Sequence, residues 1–125
     1  WDLNACPVTI TDIAMTRGQK GFIAWEGREQ TFVSKMGNLS NPVSVGPPPS
    51  SGRQKNPALA INPDGHQLVA WAEGIGWAMG GILRWQIFDT KGNSMLPDSD
   101  GSIMMSRTSL PEALALPEGR FVIIH

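Results

Sequence analysis

The chain has 125 residues, 41% of them hydrophobic and 17% charged, with a formal net charge of −1. That is enough for one domain with its own core. The near-neutral balance, with no basic stripe, argues against nucleic acid as a partner, and apolar runs of four or five residues are too short for membrane insertion as a helix.

In chain order, the sequence opens at Trp1 with no signal segment or initiator Met, which reads as a processed or excised piece. The single cysteine, Cys6, has no internal disulfide partner and reads as a small buried apolar residue. The first predicted strand is centred on Ile13-Ala14-Met15, with Asp12 and Ala14 on one face and Ile13 and Met15 on the other. A turn leads to a second strand, Phe22-Ile23-Ala24-Trp25, and a third runs from Gln30 to Ser34. A short outer strand is expected over 42–45. Asn38-Leu39-Ser40 is a glycosylation sequon that matters only in a eukaryotic secretory protein.

Gly46-Pro47-Pro48-Pro49-Ser50-Ser51-Gly52 fits neither a helix nor a strand interior and reads as a connection. Ala58-Leu59-Ala60-Ile61 then alternates small and large apolar residues, so both of its faces are expected to be buried. The small face allows a second sheet to approach closely. Asn62-Pro63-Asp64-Gly65 is a turn, because proline presets φ and glycine supplies the positive φ of a tight hairpin. Gln67–Trp71 and Ile82–Phe88 follow as strands. In the latter, Leu83, Trp85 and Ile87 alternate with Arg84 and Gln86, which predicts one dry and one wetter face. Gly74–Gly81 between them is expected to be a long loop, and an outer strand is expected over 103–106. Ala113–Leu116, the turn Pro117-Glu118-Gly119 and Phe121–Ile124 repeat the first hairpin a third time.

The segments 13–25 and 59–71 align without a gap, 46 positions apart, and 113–124 is a looser third copy. A strand-built unit of this length, with four antiparallel strands, is how a β-propeller blade looks in sequence. The expectation is an all-β chain of propeller-type blades over about 9–46 and 55–107, with a half-unit at 111–125: a partial propeller, or part of an assembled ring. The half-unit leaves an edge that another chain, or the residues from Trp1 to Thr9, would cover.

Asn56-Pro57-Ala58-Leu59-Ala60, Pro63-Asp64-Gly65, Val69-Ala70-Trp71 and Trp85-Gln86-Ile87-Phe88-Asp89 with Gly92 resemble repeats of secreted bacterial sialidase-like (BNR-like) β-propeller proteins. Trp1-Asp2-Leu3-Asn4-Ala5-Cys6-Pro7 looks like the start of a blade in that group. The resemblance implies an extracytoplasmic location and six or more blades in a whole ring. The chain would then be a fragment, or several copies would assemble the ring. The Asp-box of true sialidases is not found, and without any tyrosine the chain lacks their nucleophile.

No catalytic, metal-binding or cofactor constellation is evident. His66 and His125 have no ligand spacing with cysteines or carboxylates. Asp98-Ser99-Asp100-Gly101 starts like a calcium loop but lacks the later acidic ligands, and Gly74–Gly81 lacks the Lys-Ser/Thr of a phosphate loop. Trp25, Trp71 and Trp85 read as core, whereas Trp77 in its glycine-rich loop is a candidate to stack on a sugar or anchor a protein. In a propeller, Arg53, Lys55, Asn56, Glu73 and Trp77 would share one face, with Arg28 and Glu26 as first-unit counterparts. The first expectation is a non-enzymatic module binding a ligand or protein. The alternatives are a glycan-binding lectin that builds its ring from subunits, and part of a sialidase-like hydrolase. A homo-oligomer completing the half-unit is a further expectation.

Overall fold

The computed structural model describes residues 10–37, 40, 43–44, 53–76, 78–95 and 102–125. Cys6, Trp77, the segments 1–9, 38–39, 46–52 and 98–101, and the expectations placed on them, lie outside the described residues. Ten strands form three antiparallel sheets and no helix occurs among the described residues. Sheet 1 is β1 (Asp12–Met15), β2 (Gly21–Gly27), β3 (Gln30–Lys35) and β4 (Val43–Ser44), hydrogen-bonded in chain order. Sheet 2 is β5 (Gln54–Ile61), β6 (Gln67–Glu73), β7 (Gly81–Phe88) and β8 (Ile103–Met105), also in chain order. Sheet 3 is the hairpin of β9 (Glu112–Ala115) and β10 (Phe121–Ile124).

The sequence repeat is a repeat of register. Asp12 lies opposite Ala24, Ala58 opposite Ala70, and Glu112 opposite Ile124. The three hairpin turns carry the same hydrogen bonds: Gln19 to Thr16, Gly65 to Asn62 and Gly119 to Leu116, each N–H to carbonyl. All three donors have positive φ, of 58°, 84° and 90°. Two are glycine, for which that conformation carries no Cβ penalty, and the first copy holds it with Gln19.

The sheets pack through alternate faces, as the period of two requires. Leu59, Val69, Trp71 and Phe88 of sheet 2 are buried against Ala24 and Val33 of sheet 1, with Ala14 and Phe22 alongside. The opposite face carries Ala58, Ala70, Ala72 and Leu83 and packs with Ala113 and Ile123 of sheet 3. The expected small-residue face is therefore a sheet-to-sheet contact. Two edge interactions fix the stack. Asp12 Oδ2 accepts the N–H of Leu59 at 2.7 Å, joining the first strands of sheets 1 and 2. Asn62 donates its side-chain N–H to the Gly119 carbonyl at 2.8 Å, joining the turns of sheets 2 and 3.

The first strands converge. A cavity of about 230 Å³ is lined by Met15-Thr16-Arg17, Ile61-Asn62-Pro63 and Ala115-Leu116-Pro117, the same three repeat positions of each sheet. The turn ends of β1, β5 and β9 thus meet around one cavity.

The expected wetter face of β7, with Arg84 and Gln86, is half-buried and looks toward sheet 1. Arg84 lies opposite Trp71 and Gln86 opposite Val69, on the side that meets sheet 1. Polar residues alternate there because that contact has a polar end.

Candidate functional site

The contact between sheets 1 and 2 changes character along its length. At the end bearing the β1–β2 and β5–β6 turns it is apolar, with Phe22, Val33 and Phe88. At the opposite end, near the β2–β3 turn, it contains Glu26, Thr31, Gln54, Trp71, Glu73 and Arg84.

The polar end is built from local backbone choices. The β2–β3 connection is a two-residue turn in which Arg28 and Glu29 both have positive φ, 50° and 67°. That hand matches strand twist and closes the hairpin tightly. Across from it, Asn56 at φ 52° and a register shift between Lys55 and Ala58 bulge the first half of β5. Asparagine tolerates this region better than most residues. The bulge leaves Gln54 opposite Glu73. Gln54 Oε1 accepts the N–H of Thr31 at 2.6 Å, and the Gln54 N–H donates to the Glu29 carbonyl at 3.0 Å. One buried glutamine therefore ties β5 to the turn of sheet 1.

Charge concentrates around this tie. Arg53 Nε lies 2.8 Å from Glu29 Oε1 in an exposed ion pair. Arg84 Nε lies 3.4 Å from Glu73 Oε2, with the Glu73 side chain only 3% exposed. Glu26 lies opposite Thr31 on the same face. Its carboxyl is pushed above the usual carboxylate value by desolvation, opposed by the positive charges of Lys55 and Arg53 and reinforced by Glu29. Four buried polar atoms have no hydrogen-bond partner within the protein among the described residues: Glu26 Oε2, Thr31 Oγ1, Trp71 Nε1 and Arg84 Nε. All four lie on the two faces that meet between sheets 1 and 2, and none lies between sheets 2 and 3.

The sequence-predicted residues therefore divide. Glu26, Arg53 and Lys55 lie close enough for the charges of the two cations to oppose the desolvation of the Glu26 carboxyl, without an ion pair among them. Arg28 sits in the turn beside them and Asn56 shapes the bulge. Glu73 is on the same face but is buried and paired with Arg84, so it supports the site from beneath. Sequence reading missed Thr31, Gln54 and Arg84. Only the Arg84 and Gln86 alternation signalled any of these, as the wetter face of its strand. Glu29 was also missed, though its neighbour Arg28 was named.

A second concavity, of about 260 Å³, opens at the apolar end of the same contact. Phe22, Val33 and Phe88 line it, together with Lys20, Lys35 and Lys91. Among the described residues no carboxylate forms a salt bridge with any of these lysines. Among the described residues there is also no cluster of three metal-ligating side chains.

Comparison with known proteins gives no match: no family model, no curated protein and no solved structure is significantly similar to the chain.

Proposed function

We propose that the chain is a non-enzymatic binding module of propeller-type sheets that takes a small polar ligand at the polar end of the contact between sheets 1 and 2. The observation that carries this reading is that, among the described residues, the buried polar atoms without a hydrogen bond (Glu26 Oε2, Thr31 Oγ1, Trp71 Nε1 and the ion-paired Arg84 Nε) are all confined to that one contact. A buried donor or acceptor without a partner costs about 1–3 kcal/mol, and native proteins keep few of them. Glu26 offers an acceptor, the Trp71 indole a donor and Thr31 either, while Arg84 Nε is engaged by the Glu73 carboxylate. Lys55, Arg53 and Arg28, at or near the same end, add further donors. Among the described residues, three of the four non-glycine residues at positive φ, namely Arg28, Glu29 and Asn56, lie at this same end. Strain of that kind collects at binding sites. Donors and acceptors alternating over a short distance suit a hydroxylated ligand, which supports a sugar over a purely apolar or purely ionic one. The cavity at the other end provides volume but, among the described residues, no buried polar atom without a hydrogen bond, so it is the weaker candidate.

The test is a titration followed by amide and indole N–H resonances, using a neutral hexose, a carboxylated sugar and glycerol as probes. Binding as proposed moves the Trp71 indole and the Thr31 amide in a saturable way, and Glu26→Ala abolishes the shift while leaving the fold intact. Shifts confined to the residues near Lys20, Lys35 and Lys91, or none with any probe, would overturn the assignment.

A further inference from the structure

The two outer faces of the three-sheet stack match each other in the way its inner faces do. Sheet 1 turns Ile13, Ile23 and Trp25 outward, and sheet 2 turns the equivalent Leu59, Val69 and Trp71 toward sheet 1. In sheet 2 these positions are buried, Trp71 completely so. In sheet 1 Ile13 is 53% exposed and Met15 is 56% exposed, with Met36 also exposed. Trp25 stacks on Phe32 with ring centroids 5.8 Å apart, adding a flat aromatic surface to the same face. At the other end of the stack, Leu114, Val122 and Ile124 are exposed on sheet 3, at 50%, 37% and 54%. By register they are the counterparts of Ala14, Phe22 and Ala24, the residues with which sheet 1 covers sheet 2. Clustered apolar exposure on a sheet face marks an interaction surface.

We infer that these faces bind each other, the sheet 3 face of one copy covering the sheet 1 face of a second copy, so that the chain associates head to tail. The occupant is a second copy because the required partner surface is one this chain itself presents, and because each internal contact already joins one face of each kind. Such an interface is heterologous: it uses two different patches and repeats from copy to copy. The turn ends of β1, β5 and β9 line one cavity, and continued addition around that cavity would close a ring rather than extend an open filament. The inference rests on sheet packing and is independent of the ligand reading; mass measurements and sugar titrations fail separately.

The experiment is light scattering across a concentration series on the wild type and on two face variants. One carries Ile13→Asp and Met15→Lys, the other Leu114→Lys and Ile124→Glu. All four positions are about half exposed, so thermal melts of the variants should stay near the wild type. The wild type is expected to oligomerise, and each variant to weaken association roughly tenfold or more. An equimolar mixture of the two variants should give a one-to-one dimer and nothing larger, since each keeps the face the other needs. A wild type that stays monomeric would refute the inference. So would either variant associating like the wild type, which would mean a face pairing with itself. If either charged variant melts early, Ile13→Thr and Val122→Thr, which keep strand propensity, carry the same comparison.

Discussion

Sheet 2 is clamped between two contacts built on different principles. Toward sheet 3 it presents Ala58, Ala70 and Ala72, short side chains that set a close, dry approach. Toward sheet 1 it presents Leu59, Val69 and Trp71, then Gln54, Glu73 and Arg84. The alanine contact has no unpartnered polar atom among the described residues, and the mixed contact has four. One sheet thus separates its tasks by face. The tight side fixes the spacing of the stack. The mixed side holds its apolar end together while leaving polar groups available at the other.

The largest way to break this comparison is to remove Trp71, which spans the change from apolar to polar. Trp71→Ala should destabilise by about 3–5 kcal/mol, through lost burial and the space left behind. Trp71→Phe separates the two halves of that loss. The indole N–H has no partner within the protein, so phenylalanine should cost far less than alanine, while the indole-dependent response to a bound sugar disappears. Urea melts of both variants measure the difference. A cost for phenylalanine as large as for alanine would show that the N–H is held by a protein partner after all.

The alanine contact is tested from the opposite direction. Ala70 is fully buried and faces sheet 3. Ala70→Leu adds three carbons where no space exists, and overpacking of this kind costs about 1–3 kcal/mol. The loss should appear as separation of sheet 3 from sheet 2, read as faster hydrogen exchange at Ala113–Ala115 with little change at Val33. Equal loss of protection on both sides would mean that the two contacts are one cooperative unit.

How much of this was legible in the sequence follows from the same contrast. The gapless alignment of 13–25 with 59–71 marked strands and turns that recur at equivalent positions in the structure, because apolar alternation and hairpin turns are local signals. It even placed Gln19 where the second copy has Gly65, a substitution that the shared positive φ makes meaningful. The small-residue face was legible for the same reason. The polar end was not. Thr31 meets Gln54 through a bond that spans two sheets and 23 positions of sequence, and no local pattern encodes it. The bulge at Asn56 shifts the face that Gln54 occupies, so alternation counted from Ala58 backward assigns that residue to the wrong side. Arg53 and Lys55 were grouped on one expected propeller face with Glu26 only as a first-unit counterpart, so the proximity of their charges to the Glu26 carboxyl was not itself read from the sequence.

The smallest expected effect is at Glu26, and its sign is its value. Desolvation raises this carboxyl above its ordinary 4.5, so folding favours its protonated form. Its unfavourable contribution is absent below pH 4.5, grows as pH rises through the raised value, and is constant above it. Glu26→Gln, which keeps the shape and removes the charge, should therefore leave stability at low pH almost unchanged and raise it slightly near neutrality. The attraction of Lys55 and Arg53 offsets part of the desolvation, which keeps the gain small. Urea melts of wild type and variant between pH 4 and 7 read the difference directly. A variant less stable than the wild type at pH 7 would mean that the cations outweigh burial, so that Glu26 is primarily a structural ion-pair partner. A gain near neutrality together with lost sugar binding would mean that the carboxylate is kept at the expense of stability because the ligand needs it.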